Sequence, residues 1–202
     1  MFDLVFRERF AKHTISIVVF FERYHVTANL LTLIGLILGL IASFFVATGN
    51  PVAAIFCWWV GRLFDGFDGL VARRTGTDSP GGAFFDLTAD MIAYGAMIIG
   101  FHLSHPQYGM GWSLILYGYL LVTVTALALG SQEEKAGLPN QESRNLRLGV
   151  GFAEAGETGC VYTILCLFPS YTFIVQQLWI SMLFFTFFFR CFQSKKIHKL
   201  VL

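Results

Sequence analysis

Asp65-Gly66-Phe67-Asp68-Gly69-Leu70-Val71-Ala72-Arg73, followed after a short loop by Gly82-Ala83-Phe84-Phe85-Asp86-Leu87-Thr88-Ala89-Asp90, places four carboxylates in two otherwise apolar stretches. Asp65 and Asp68 are three apart and Asp86 and Asp90 four apart, so on helices each pair shares one face. Such helices, joined by the loop 74–81, run in opposite directions and bring both pairs to the same end. With a rise of about 1.5 Å per residue, Asp65 lies ~12 Å along its helix from Arg73, recessed below the helix end.

The surrounding chain says what those helices are embedded in. Of 202 residues, 55% are hydrophobic and 13% charged, and the mean hydropathy is +0.63. That is a membrane composition, since a soluble domain of this size carries about 25% charged residues. A bilayer crossing takes about 20 apolar residues. Asn29–Gly49, Val52–Arg73, Ala83–Leu103, Trp112–Gly130, Gly151–Phe168 and Tyr171–Phe192 each satisfy this. The expected fold is all-α and integral to the membrane. Six transmembrane helices over 26–192 follow an amphipathic interfacial helix in 1–25, and a basic tail occupies 193–202, all in one domain. In the first segment Arg7, Arg9 and Lys12 oppose Phe2, Phe6 and Phe10, as in a helix lying at the interface.

Lysine and arginine alternate between loops. They occur before the first span, after the second (Arg73, Arg74), after the fourth (Lys135, Arg144, Arg147) and at the end (Lys195, Lys196, Lys199), while the loops around Gly49–Pro51, His105–Gly111 and Pro169–Ser170 have none. The positive-inside rule therefore predicts a multi-pass protein with termini and acidic cluster facing the cytoplasm, in the inner membrane if the cell is bacterial. The stretch Ser131–Arg147 is predicted as a cytoplasmic loop, and no cleavable leader is predicted. A net charge of +1 excludes a nucleic-acid binder, which needs concentrated basic charge. Cys57, Cys160, Cys166 and Cys191 all fall in apolar segments and read as small buried apolar residues. Trp112 and Trp179 are expected at the interfaces.

Ionisable groups inside a span cost on the order of 3 kcal/mol each, so four of them point to a polar cavity with a task. Close carboxylates repel unless cations lie between them, and hard oxygen ligands suit Mg²⁺ or Mn²⁺. The expectation is a two-metal site that clamps a transferring phosphoryl group. Gly66, Gly69, Ala72 and Gly82 clear side chains from the neighbouring faces, and Arg73 offers a planar cation for a diphosphate. A plainer alternative makes the small residues a packing stripe and pairs the acids with Arg62 and Arg73, but two arginines cannot neutralise four recessed carboxylates.

The eight positions Asp65, Asp68, Gly69, Ala72, Arg73, Gly82, Asp86 and Asp90 match D-x-x-D-G-x-x-A-R-x8-G-x3-D-x3-D throughout. In this the sequence resembles the CDP-alcohol phosphotransferase (CDP-alcohol phosphatidyltransferase) family of membrane enzymes of phospholipid synthesis. The resemblance implies that Asp65, Asp68 and Asp86 hold divalent metals and that Asp90 completes the metal site and acts as general base. It gives the CDP moiety to Gly69, Ala72, Arg73 and Gly82. It implies transfer of a phosphatidyl group from a CDP-linked lipid such as CDP-diacylglycerol to an alcohol, with release of CMP, and also pairing into homodimers. Asn29 and Thr32 match part of a P-N-x-x-T motif that the family carries near the nucleotide, although Ala28 stands where the proline would be.

For the acceptor alcohol the candidates are Lys135, Arg144, Arg147 and Arg190, as cations for a phosphate, with Glu154 and Glu157 lining the pocket. The loop cations favour glycerol 3-phosphate or another phosphorylated polyol, and inositol phosphate, serine and another lipid alcohol stay open. A reading of a different class, a transporter with a cation-binding acidic cavity, accounts for the acids but not for an arginine and small residues at fixed gaps beside them.

Overall fold

The computed structural model describes residues 17–135 and 155–201, without the side chains of 133 and 196–201. Among the described residues the chain is helical, with no strand. It forms two compact units, Met1–Pro106 and Gln107–Leu202.

In the first unit, residues 17–23 are helical and precede α1 (Ala28–Ala47), α2 (Pro51–Thr75) and α3 (Pro80–Ser104). Local chemistry sets each boundary. The side chains of Thr27, Asn50 and Ser79 accept from the amides of Leu30, Ala53 and Gly82, capping the three N-termini, and Pro51 and Pro80 open the first turns of α2 and α3. Helix α2 stops at Gly76, whose φ of 64° is the left-handed conformation that glycine tolerates best.

Helix α1 packs along both α2 and α3. At the α1–α2 crossing, glycines face each other: a Cβ on Gly35 would stand 3.1 Å from the Gly61 carbonyl, and one on Gly61 equally close to that of Gly35. At the α1–α3 crossing the contact is tighter, since a Cβ on Gly100 would fall 2.6 Å from the Ser43 carbonyl oxygen. There Ser43 also donates to the Ala96 carbonyl at 2.5 Å. Small residues let membrane helices approach in this way. Beneath residues 17–23, Val18, Leu31 and Val71 form a core with Phe21, Val26, Phe64, Phe67 and Leu70 around it, and Glu22 accepts from Arg74 at 2.9 Å.

The second unit contains α4 (Gly109–Lys135), α5 (Ala155–Leu167) and α6 (Thr172–Val201), with α6 packed on both others. Trp179 donates to the Tyr119 hydroxyl at 3.0 Å, and Tyr119 and Tyr162 are linked through their hydroxyls at 2.9 Å. Polar tips of aromatic residues are thus satisfied inside the apolar bundle.

Helices α1 and α3 and the stretches 106–132 and 169–195 are long and apolar enough to cross a membrane. Of the six expected spans, α2 has comparable length but carries Arg62, Asp65 and Asp68 in its body, and α5 has 13 described residues. The interfacial segment falls mostly on 1–16, outside the described residues; its described end packs on α1 and α2.

Some expectations are corrected. Helix α4 continues through Ser131–Lys135, shortening the predicted loop, and α6 runs on into the basic end of the chain. Trp112 and Trp179 are fully buried rather than interfacial, because their large rings fill the bundle. Cys160 is exposed and the other three cysteines half-buried, as on helix faces turned to lipid, where an apolar thiol needs no protein cover.

Gly100→Ala is expected to destabilise the protein by about 1–3 kcal/mol, the range of an overpacked core, whereas Gly95→Ala, which meets open space, leaves it unchanged. Thermal unfolding of the two variants in detergent checks this; equal melting points would contradict the close α1–α3 approach.

Candidate metal centre

Among the described residues, the groups that converge on the carboxylates come from α1, α2 and α3, within the first unit. Asp65 and Asp68 project from successive turns of α2, and Asp86 and Asp90 from α3. Oxygens of Asp65, Asp68 and Asp86 all lie within 4.8 Å of one another. Asp68 is the most enclosed, at 6% exposure. This donor set consists of oxygens alone, on three residues that bear full charge when ionised. It fits a hard divalent ion such as Mg²⁺ or Mn²⁺ and would suit a soft metal poorly.

The α1–α2 crossing controls where these oxygens stand. Asp65 is one turn beyond Gly61, and a Cβ on Gly35 would lie 3.7 Å from the Asp65 Cβ. One turn before Gly35, buried Thr32 faces Asp68, and its hydroxyl donates to Asp68 Oδ2 at 2.5 Å. The Ala28 carbonyl lies 3.1 Å from the same hydroxyl, but one proton serves one acceptor best, and the charged, closer carboxylate wins. The hydroxyl of Thr32, a residue of the nucleotide-side motif, thus also meets a carboxylate of the cluster.

Asp90 is engaged differently. Its Oδ1 accepts from Nη1 of Arg62, and the same nitrogen lies 3.4 Å from Asp65 Oδ2. The Arg62 guanidinium sits over two rings, 5.0 Å from the Trp58 centroid and 5.5 Å from that of Tyr94. In the sequence Arg62 stands only as one neutralising cation beside Arg73. The signal for more was present in Trp58 and Asp65, four residues before it and three after, which share its helical face.

The remaining signature positions lie at the helix ends. Gly69 makes room for Arg73, whose Nη1 stands 3.2 Å from where a Cβ would be. Arg73 is exposed and Ala72 half-buried. Gly82 lies beside Asn29, with 3.7 Å between its Cβ position and Asn29 Oδ1, so the starts of α1 and α3 meet there.

Of the acceptor candidates, Lys135 is exposed at the end of α4, and Glu157 is half-buried in the first turn of α5. Arg190 is buried in α6, where Nη1 donates to the Val122 carbonyl at 2.5 Å. Arg144, Arg147 and Glu154 lie outside the described residues.

The family model for CDP-alcohol phosphatidyltransferase matches residues 25–188. Inner membrane protein YnjF of Escherichia coli (strain K12) is 32% identical over 152 residues, 72% of each chain. Archaetidylinositol phosphate synthase of Pyrococcus horikoshii is 30% identical over 171 residues, 85% of each chain. Among solved structures, phosphatidylinositol phosphate synthase of Mycobacterium tuberculosis in complex with manganese and citrate superposes with a TM-score of 0.70 at 19% identity, covering 90% of this chain and 88% of that one. The same synthase with CDP-DAG bound gives 0.59 at 21% identity, over 91% and 92%. These structural likenesses carry the fold.

Replacing Thr32 by Val should weaken Mn²⁺ binding by about 10- to 100-fold, the usual effect of losing a group that orients a metal ligand, while Thr32→Ser retains it. Calorimetric titration of the metal-stripped protein distinguishes the two, and an unchanged Thr32→Val would remove Thr32 from the site.

Proposed function

Because the chain belongs to the CDP-alcohol phosphatidyltransferase family, we propose that it moves the phosphatidyl group of a CDP-linked lipid such as CDP-diacylglycerol onto the hydroxyl of an acceptor alcohol, releasing CMP. The observation that carries this reading is the convergence of Asp65, Asp68 and Asp86 oxygens within 4.8 Å, inside the family's spacing of acids, glycines and arginine.

In this reading Asp65, Asp68, Asp86 and Asp90 hold two divalent ions, Mg²⁺ or Mn²⁺. Bound there, the ions supply positive charge against the developing charge of the transferring phosphoryl group. The neighbour in complex with manganese supports a divalent ion as the cofactor. Thr32 fixes the Asp68 carboxylate. Arg73, at the exposed end of α2, grips the diphosphate as a planar cation. Gly69, Ala72 and Gly82 keep the path to the acids free of bulk, and Asn29, beside Gly82, contributes its amide to the nucleotide. Asp90 takes the proton of the acceptor hydroxyl as it attacks the phosphorus that bears the lipid, and the bond to the CMP oxygen breaks.

The acceptor is a phosphorylated polyol such as glycerol 3-phosphate. The residues put forward for it are Lys135, Arg144, Arg147 and Arg190, as cations for its phosphate, with Glu154 and Glu157 as further polar partners. The relative named as an archaetidylinositol phosphate synthase supports that acceptor class. Six crossings in a single domain, with both termini and the site on the cytoplasmic side, complete the reading. They agree with the one-sided distribution of Lys and Arg among the loops.

Purified protein given CDP-diacylglycerol, Mn²⁺ and one acceptor at a time should release CMP only with its own acceptor. Chelation should stop the release, and Asp90→Asn should slow it by about 10²- to 10⁴-fold, the contribution of a general base. Absence of turnover with every phosphorylated polyol, together with turnover on an unphosphorylated alcohol, would refute the acceptor class. Turnover that persists after chelation would refute the metal role.

A further inference from the structure

Arg62 stands outside the family's spacing of acids, glycines and arginine, yet no basic side chain in the described structure is more closely bound to the acids. It projects from α2 one turn before Asp65, and only 9% of its side chain is exposed. Its Nη1 alone serves both Asp90 and Asp65. The buried Nε has no hydrogen-bond partner among the described residues. A guanidinium at full strength grips a carboxylate through two parallel N–H bonds. Here one nitrogen is divided between two carboxylates and another donor is idle, which is the pattern of a grip that can be exchanged.

Charge balance says what it exchanges with. Four carboxylates and one guanidinium leave three negative charges in a recessed site, so the metal-free protein needs Arg62 where it is. Two divalent ions bring four positive charges, and with them in place a guanidinium against Asp65 and Asp90 makes the site net positive. The guanidinium also lies over the rings of Trp58 and Tyr94, whose faces attract a cation whether or not it touches an acid. Arg62 can therefore release Asp65 and Asp90 without leaving its stacked position for an apolar surrounding.

We propose that Arg62 is the resident cation of the acidic site, holding Asp65 and Asp90 when divalent metal is absent and competing with metal for the same two carboxylates. This rests on the metal-binding reading given above and adds a residue that sets how readily the metals load. Its role is positional: Arg62 acts on the reaction through Asp65 and Asp90 and through metal occupancy.

The test is Mn²⁺ binding by the full-length protein in detergent, stripped of metal with EDTA and titrated with MnCl₂ in a calorimeter with no lipid substrate or acceptor present. Folding of each variant is checked by circular dichroism and gel filtration. Arg62→Met removes the charge while keeping a long apolar stem, and should tighten Mn²⁺ binding about tenfold or more, as expected when one like charge leaves a partly buried site. Arg62→Lys keeps the charge but loses the planar stacking and the shared grip, so its affinity should fall between wild type and Arg62→Met. Equal or weaker binding by folded Arg62→Met would overturn the proposal. So would Arg62→Lys binding as wild type does, because charge at a distance would then explain everything. If Arg62→Met does not fold, the comparison of Arg62→Lys with wild type decides alone. Absence of Mn²⁺ binding in wild type and both variants would overturn the metal reading itself, whereas binding that ignores Arg62 would overturn only this inference.

Discussion

Mutual repulsion among Asp65, Asp68, Asp86 and Asp90 is the constraint that organises the first unit. Carboxylates held this close, away from bulk water, cannot all stay ionised without compensation, and the compensation has to be built from helices whose other faces are apolar. Three different devices meet the need. Thr32 gives Asp68 a hydroxyl proton, Arg62 gives Asp65 and Asp90 a shared cation, and the converging oxygens of Asp65, Asp68 and Asp86 leave room for a divalent ion. Each device comes from a helix that must approach its neighbours closely, and that makes the glycines at the crossings part of the same solution.

Helix α1 shows how packing and chemistry are joined. It contributes no carboxylate, yet its crossing with α2 at Gly35 and Gly61 sets Thr32 opposite Asp68. Its N-terminus brings Asn29 to Gly82 at the start of α3. Larger side chains at the crossing would separate the helices, and the hydroxyl of Thr32 would no longer reach an acid that is 6% exposed. The small residues therefore serve packing and the site at once. The plainer reading of them as a packing stripe and the functional reading do not compete.

Membership in the CDP-alcohol phosphatidyltransferase family makes the chain an enzyme and removes the transporter alternative. The recessed position of the acids then has a chemical sense. The reacting phosphorus of a CDP-linked lipid lies between a polar nucleotide and apolar acyl chains, so a site below the exposed Arg73, and among helices with apolar outer faces, can receive both ends of one substrate.

The membrane class and the pairing of acids on helical faces were legible in the sequence because both depend on local quantities: the length of apolar runs and the 3.6-residue period, which fixes what shares a face. The eight signature positions were legible through the resemblance to the family, and the fixed gaps within two adjacent helices agree with proximity at one end of a helical hairpin. Helix ends were less legible. Ser131–Lys135 carries polar residues that suit a loop, and only its continuation in α4 shows that helix propensity prevails there. The burial of Trp112 and Trp179 likewise depends on which helix lies alongside, and composition does not encode that. The division of labour among the acids was beyond sequence reading altogether. That Asp90 receives Arg62 while Asp65, Asp68 and Asp86 converge, and that Thr32 turns to Asp68, follow from how closely α1, α2 and α3 approach and at what rotation. Spacing along one helix determined which residues could act together; contacts between helices, set by side-chain volume at the crossings, decided which of them touch.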